Sequence, residues 1–164
     1  MDIVVYWLKK LTMRYNLEIL QPNTDEYELL DSGEGEKLER YGKYILRRPD
    51  PQALWHKAMP KKDWEQADAT FARDGLKNEW ILTPGLPKEW PITFGENTFI
   101  IRPTPFKHTG IFPEQRSNWD WMKKVIASAK RDISVLNLFA YTGGATLAAL
   151  AAGANVCHVD GSKK

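Results

Sequence analysis

Hydrophobic positions along the chain follow two rhythms, and the change falls near Pro105. From Tyr27 to Arg102, short β-prone runs alternate with Gly, Pro and Asp clusters, the pattern of a small strand-rich unit. Its clearest piece is Ile92-Thr93-Phe94, then Gly95-Glu96-Asn97, then Thr98–Arg102, where β-prone residues flank a three-residue loop and predict a hairpin. Further strands are expected at Glu28–Leu30, Lys43–Arg47, Thr70–Arg73 and Trp80–Leu82, with Pro49, Pro51, Pro60, Pro84, Pro87 and Pro91 breaking the stretches between. The run Glu34–Arg40 alternates in charge sign and reads as a solvated helix or turn. Met1–Leu20 fits either a helix or a strand.

Beyond Pro105 the period lengthens. Pro113 suits a first helical position, and Trp119, Met122, Val125 or Ile126, and Ala129 recur on one apolar stripe, which predicts a helix over Pro113–Lys130. Ser134–Phe139 reads as a buried strand, followed by Tyr141-Thr142-Gly143-Gly144, an Ala/Leu-rich helix through Ala152, and a second strand Asn155–Val159 ending at Asp160. That order is one βαβ unit with parallel strands and a right-handed crossover. The expected class is α/β, with a strand-rich small domain over 1–105 and the start of a Rossmann-like domain over 106–164. Two parallel strands leave apolar sheet surface uncovered, so a fragment of a larger sheet is expected.

Composition narrows the function classes. With 164 residues, 43% hydrophobic and 27% charged, the chain falls in the globular range. The apolar runs Ile133–Ala140 and Ala145–Ala154 are far shorter than the roughly 20 residues of a membrane helix. Met1–Leu11 lacks a small-residue cleavage site, and a cytoplasmic location is expected. The single cysteine, Cys157, excludes an internal disulfide and offers no zinc spacing with His56, His108 and His158. It reads as a small core hydrophobe in a buried strand, not as a nucleophile. A net charge of +2 is too small to imply nucleic acid by itself. Trp55, Trp64, Trp80 and Trp90 stand among Lys57, Lys61, Lys62, Arg73 and Lys88. Tryptophans filling a β core beneath snorkelling lysines account for this, and stacking on unpaired RNA is the alternative. His56 and His158 show no partner and read as structural or surface residues, while Lys107 and His108 precede the helix and serve either in a pocket or in a solvated loop or capping contact.

The candidate chemistry sits in the βαβ turn. Residues without Cβ let backbone amides approach a ligand, and Gly143 and Gly144 supply that room. An acid at the end of the second strand, Asp160, can accept hydrogen bonds from two ribose hydroxyls. A diphosphate site wants three glycines, whereas Phe139–Ala145 holds one adjacent pair preceded by aromatics. This favours S-adenosylmethionine over NAD, with Phe139 and Tyr141 flanking an adenine or a methionine chain. A Gly-rich connector without a ligand is the plain alternative.

Three segments in order, Phe106–Arg116, Val135–Gly144 and His158–Lys163, resemble the class I S-adenosylmethionine-dependent methyltransferases of large-subunit ribosomal RNA. Tyr27–Arg40 is similar to the lead-in of bacterial members. The resemblance implies that Glu114-Gln115-Arg116 lies beside the methyl donor, that the turn Phe139–Gly144 wraps its methionine part, and that Asp160 holds its ribose. The donor set it implies is Gln115, Arg116, Asn137, Phe139, Tyr141, Thr142, Gly143, Gly144, Asp160 and Ser162. Trp119, where some relatives carry a basic residue, and Gly161, where Ala or Thr is more usual, depart from the pattern. Relatives continue into a Pro-Pro motif that approaches the acceptor base, so the catalytic residues and the modified atom are not assigned. The implied activity is methyl transfer to RNA, with ribosomal RNA the expected substrate, and the rival is a nucleic-acid-binding protein in which the βαβ unit is scaffold.

Overall fold

A computed structural model describes residues 20, 22–74 and 77–162; the helix-or-strand alternative for the N-terminus and the end of the motif at Lys163 lie outside the described residues. Five strands, β1 (Tyr27–Gly33), β2 (Glu36–Tyr41), β3 (Tyr44–Pro49), β4 (Ala69–Asp74) and β5 (Lys77–Leu82), form one sheet in sequence order. All neighbours are antiparallel except β3 and β4, which run parallel over Leu46↔Ala69 and Arg47↔Thr70. A short helix α1 (Lys61–Trp64) lies in the β3–β4 connection. The expected hairpin is β6 (Trp90–Phe94) and β7 (Asn97–Ile101).

The sheet is covered on both faces. Tyr27, Tyr41, Leu46 and Ala69 pack with Trp90, Ile92, Phe94, Phe99 and Ile101 of the hairpin, whose strands bury alternate residues as period-two strands should. Leu38 points to the other side and meets Trp64 and Ala67. Trp64 and Trp90 are therefore core and Trp80 is half-buried, as a tryptophan-filled core requires, but Trp55 is exposed.

The charged run at Glu34–Arg40 is not a solvated helix or turn: most of it is β2, and Glu39 is fully buried. Its carboxylate accepts Arg48 Nε at 2.7 Å and Nη2 at 2.9 Å, and the Tyr27 and Tyr41 hydroxyls at 2.9 and 3.1 Å. A buried charge persists only when paired and hydrogen-bonded in this way. Burial pushes the Glu39 carboxyl up, yet the Arg48 charge and its hydrogen bonds outweigh that and hold it below the usual range.

A 3-10 turn at Pro113–Gln115 leads into α2 (Arg116–Ser128), so the predicted helix forms with its first turn tightened. Then follow β8 (Ser134–Leu138), α3 (Gly144–Ala151) and β9 (Asn155–Val159), with β8 and β9 parallel in the register Ser134↔Asn155 to Leu138↔Val159. Val135 and Val156 face a core formed with Ile126, Ala149 and Ala154. The opposite face is uncovered: Leu136 is 61% exposed, Leu138 53% and Val159 45%. Cys157, paired with Leu136, is exposed on that face, so the expectation of a core cysteine does not hold. Among the described residues no helix is long and apolar enough to cross a membrane.

Candidate functional site

The chain leaves β8 through a strained turn. Phe139 and Tyr141 both take left-handed backbone conformations, with φ of 56° and 52°, which costs a residue bearing a Cβ roughly 1–2 kcal/mol each. Phe139 therefore lies outside the strand in which the sequence places it. Such strain persists only where surrounding contacts over-determine it, and it gathers at ligand sites. The contacts here come from three directions. The Tyr141 amide donates to Asp160 Oδ2 at 2.7 Å. The Tyr141 hydroxyl accepts the Gly110 amide at 3.1 Å, and the Thr142 hydroxyl donates to the Gly110 carbonyl at 2.6 Å. Ala140 continues the ladder by donating to Val159 O at 3.1 Å.

Asp160 thus points into the bend between the strands. Its second oxygen accepts the Ser162 amide at 2.8 Å, and these amides, Ser162 first and Tyr141 next, hold the exposed carboxyl below its ordinary range. A carboxylate has about four lone-pair sites, so two amide bonds leave capacity for a further pair of donors.

Two clefts flank the turn and share Tyr141 and Thr142. One, of about 440 Å³, has Gln115, Asn137, Phe139, Tyr141, Thr142 and Gly144 in its wall, together with Glu114 and Trp119. The other, of about 860 Å³, is lined by Tyr141, Thr142, His158, Asp160 and Ser162. Eight of the ten expected residues therefore border two adjoining clefts. Gly143 caps α3 with φ of 92°, a value that favours glycine.

Gly143 and Arg116 line neither cleft, and Arg116 points away from both. Its guanidinium donates to Asn23 O at 2.8 Å, lies 3.7 Å from Asp120 and sits over the Phe94 ring. One residue beyond Gln115 on a helix turns a side chain by about 100°, and here that aims it at the strand-rich part.

Gly144 borders the cleft, but the space its missing Cβ leaves is filled from within the protein. A Cβ there would lie 2.2 Å from Trp119 Cζ2, so the glycine admits an indole and not a ligand backbone. Trp119 in turn stacks on Phe99 with ring centroids 6.0 Å apart.

Sequence patterning overlooked Thr146. Its hydroxyl accepts Asn137 Nδ2 at 2.9 Å and meets His158 Nδ1 at 2.9 Å, so His158 has a partner after all. Thr146 and Asn137 face each other across the turn of the βαβ unit, and the only signal in the sequence was a polar residue in an apolar helix. His108 packs edge-on to Phe112 and Tyr141 at 5.4 and 6.3 Å; burial, then the Arg48 and Lys107 charges, hold it below its usual range. His56 is exposed beside Glu34 at 3.5 Å.

No family model matches the chain, and no curated protein matches it. Among solved structures, it is similar to a SAM-dependent methyltransferase from Agrobacterium tumefaciens, with 44% identity and a TM-score of 0.82 over 91% of this chain and 48% of that one. A candidate SAM-dependent methyltransferase from Streptococcus mutans is 18% identical with a TM-score of 0.58, over 96% of this chain and 43% of that one. A candidate methyltransferase in complex with S-adenosylhomocysteine has the same identity, coverage and score. The chain spans about half the length of these relatives. Its fold is mixed α/β, a strand-rich region followed by a βαβ unit of the methyltransferase type.

Proposed function

We propose that the chain is the donor-binding part of an S-adenosylmethionine-dependent methyltransferase that acts on RNA, ribosomal RNA being the substrate the sequence motifs favour, in the cytoplasm. The observation that carries the donor assignment is the Asp160 carboxylate, fixed against the Tyr141 amide at the mouth of a strained aromatic turn. The 44% identity to a SAM-dependent methyltransferase supports the same class.

The residues present fit this donor. Asp160 retains lone pairs for two ribose hydroxyls. Asn137 donates one amide N–H to Thr146, and its carbonyl oxygen accepts no hydrogen bond among the described residues, which leaves it as an acceptor for the donor. Phe139, 91% exposed, and Tyr141 offer ring faces to an adenine or a methionine chain. Gln115 and Thr142 line the wall between, and Ser162, whose amide is engaged by Asp160, lines the second cleft. When bound, the donor supplies an electrophilic methyl on its sulfonium. The turn's task is to hold that methyl in fixed orientation toward the acceptor, since alignment is the main source of rate in such a transfer.

Isothermal calorimetry tests the donor site. S-adenosylhomocysteine is expected to bind saturably, and Asp160→Ala to weaken it by about tenfold or more, the range for hydrogen bonds to a charged group. Tight NAD binding with no S-adenosylhomocysteine binding would refute the assignment. The RNA assignment rests on the sequence motifs, and methylation of protein but not of large-subunit RNA by the whole enzyme would overturn it.

A further inference from the structure

We infer that Thr146 and His158 are positioning residues of the methyl-donor site: they turn the Asn137 amide so that its carbonyl oxygen is shown to the ligand, where it accepts the α-ammonium of the methionine part. This deepens the S-adenosylmethionine reading above and rests on it. The three side chains meet at one end of the βαβ unit. Asn137 and His158 are register partners on β8 and β9, and each lies two residues beyond a valine, Val135 or Val156, that packs into the core. Both therefore stand on the covered face of the sheet. Thr146 reaches them from the first turn of α3 and is the one polar side chain in Gly144–Ala151.

Counting donors and acceptors fixes the protons. A threonine hydroxyl has one hydrogen and two lone pairs. Asn137 Nδ2, at 2.9 Å, can only donate and takes a lone pair. The hydroxyl hydrogen then goes to His158 Nδ1, also at 2.9 Å, so the imidazole is neutral with its proton on Nε2. The ring lies against Gly143, where a Cβ would meet Cε1 at 3.5 Å. The same three groups could be linked in only one other direction. With a proton on Nδ1, His158 would donate to Thr146, Thr146 to the Asn137 oxygen, and the Asn137 NH₂ would face the ligand instead. The tautomer of His158 and the group that Asn137 shows the ligand are therefore a single variable.

The surroundings favour the carbonyl direction. Asn137 lines the 440 Å³ cleft and His158 the cleft that holds Asp160. With the ribose on Asp160, the cleft on the other side of the turn takes the methionine part. The one charged side chain in its wall is the Glu114 carboxylate, so a cation is favoured there. An ammonium has only donors to offer, and it pairs with a carbonyl oxygen but not with an NH₂. Cohesion alone does not call for this trio. A hydrogen bond between neutral side chains adds little net stability, no more than burying one methylene, and continuing the apolar face beyond Val135 and Val156 would serve as well.

The test is calorimetry of the 164-residue chain with S-adenosylhomocysteine and with 5′-methylthioadenosine, which has the same nucleoside and sulfur but no amino-acid part. Thr146→Val keeps the shape and removes the hydroxyl. It should weaken S-adenosylhomocysteine about threefold to tenfold, the net worth of one hydrogen bond, and leave 5′-methylthioadenosine unchanged. Thr146→Ser keeps the hydroxyl and should bind both as the wild type does. Proton–nitrogen NMR spectra of the imidazoles read the direction, His158 being identified among the three histidines by its loss in His158→Gln. At mildly alkaline pH the proton should be on Nε2 and Nδ1 should be bare. A proton on Nδ1 overturns the proposal. So does a valine variant that binds S-adenosylhomocysteine as the wild type does, one that loses both ligands equally, as a merely structural residue would, or a serine variant no better than valine. Each of these leaves the methyl-donor reading standing, because the wild type still binds S-adenosylhomocysteine. A wild-type chain that binds neither ligand refutes both.

Discussion

Gly144→Ala separates a glycine kept for packing from one kept for a ligand. Its backbone is ordinary helix, so alanine brings no conformational strain and in isolation would gain up to about 1 kcal/mol of helix propensity, less at the first position. The added Cβ, however, would lie 2.2, 2.6 and 3.0 Å from three atoms of the Trp119 indole, where carbon atoms prefer about 3.5–4.0 Å. The ring would have to retreat by roughly 1 Å or more to restore that spacing. It is stacked on Phe99 and meets Phe94 edge-on at 5.9 Å, so retreat disturbs the packing between the hairpin and α2. Overpacking of this kind costs about 1–3 kcal/mol, and the net loss should be about 1–2 kcal/mol, or roughly 2–8 °C in melting temperature at this chain length. The assay is thermal or urea unfolding of Gly144→Ala in the wild-type and Trp119→Phe backgrounds. Phenylalanine removes the indole atoms in the clash, so the alanine should be neutral or mildly stabilising there, a coupling of at least about 1 kcal/mol. An equal loss in both backgrounds, or a gain in the wild type, would refute the steric argument.

Arg48→Met should cost about 3–5 kcal/mol by leaving the buried Glu39 carboxylate with Lys37, 3.4 Å away, as its one remaining charged partner among the described residues, and urea unfolding that shifts by less than about 1 kcal/mol would sink that account. The carboxyls of Glu39, Glu36 and Asp31 are all held below their ordinary values, so their contribution is complete above the unfolded-state values and is lost as pH falls. Stability should therefore decline from about pH 4.5 downward; Glu39→Gln should be less stable at neutral pH and show a shallower acid slope, and an unchanged slope would exclude Glu39 as the source. Thr142→Val removes a 2.6 Å bond to Gly110 O and should weaken S-adenosylhomocysteine binding about threefold to tenfold, the net worth of one hydrogen bond, with calorimetry as the check.

The periodic elements were legible because one side of each is buried: the hairpin by its period of two, and α2 and the βαβ unit by apolar stripes and runs bounded by turn residues. Asp160 was legible because a strand end has a fixed place in a βαβ unit. The failures share a cause, which is that pairing in space is not written locally. β2 reads as solvated because its charges alternate, yet Glu39 finds Arg48 one strand away. Gly144 reads as a ligand contact until Trp119 is seen filling its space. Arg116 sits inside a matching segment but turns to Asn23. Cys157 looks buried because parallel strands normally have both faces covered, and here one face is bare.

The strand-rich sheet and the aromatic turn are joined by a short chain of contacts. Arg48, fixed by Glu39, donates through Nη1 to the Lys107 carbonyl at 2.8 Å. Three residues on, Gly110 meets both Tyr141 and Thr142, and a Cβ at Gly110 would lie 2.7 Å from Ile100 O of the hairpin. The segment between Lys107 and Gly110 is thus gripped by the sheet, the hairpin and the turn at once. The Gly110 grip opposes the tendency of Tyr141 to relax from left-handed geometry, a tendency worth about 1–2 kcal/mol. The turn is therefore shaped by the strand-rich region before any ligand arrives, and the βαβ unit by itself would lack the Gly110 clasp that holds Tyr141 and Thr142 in place.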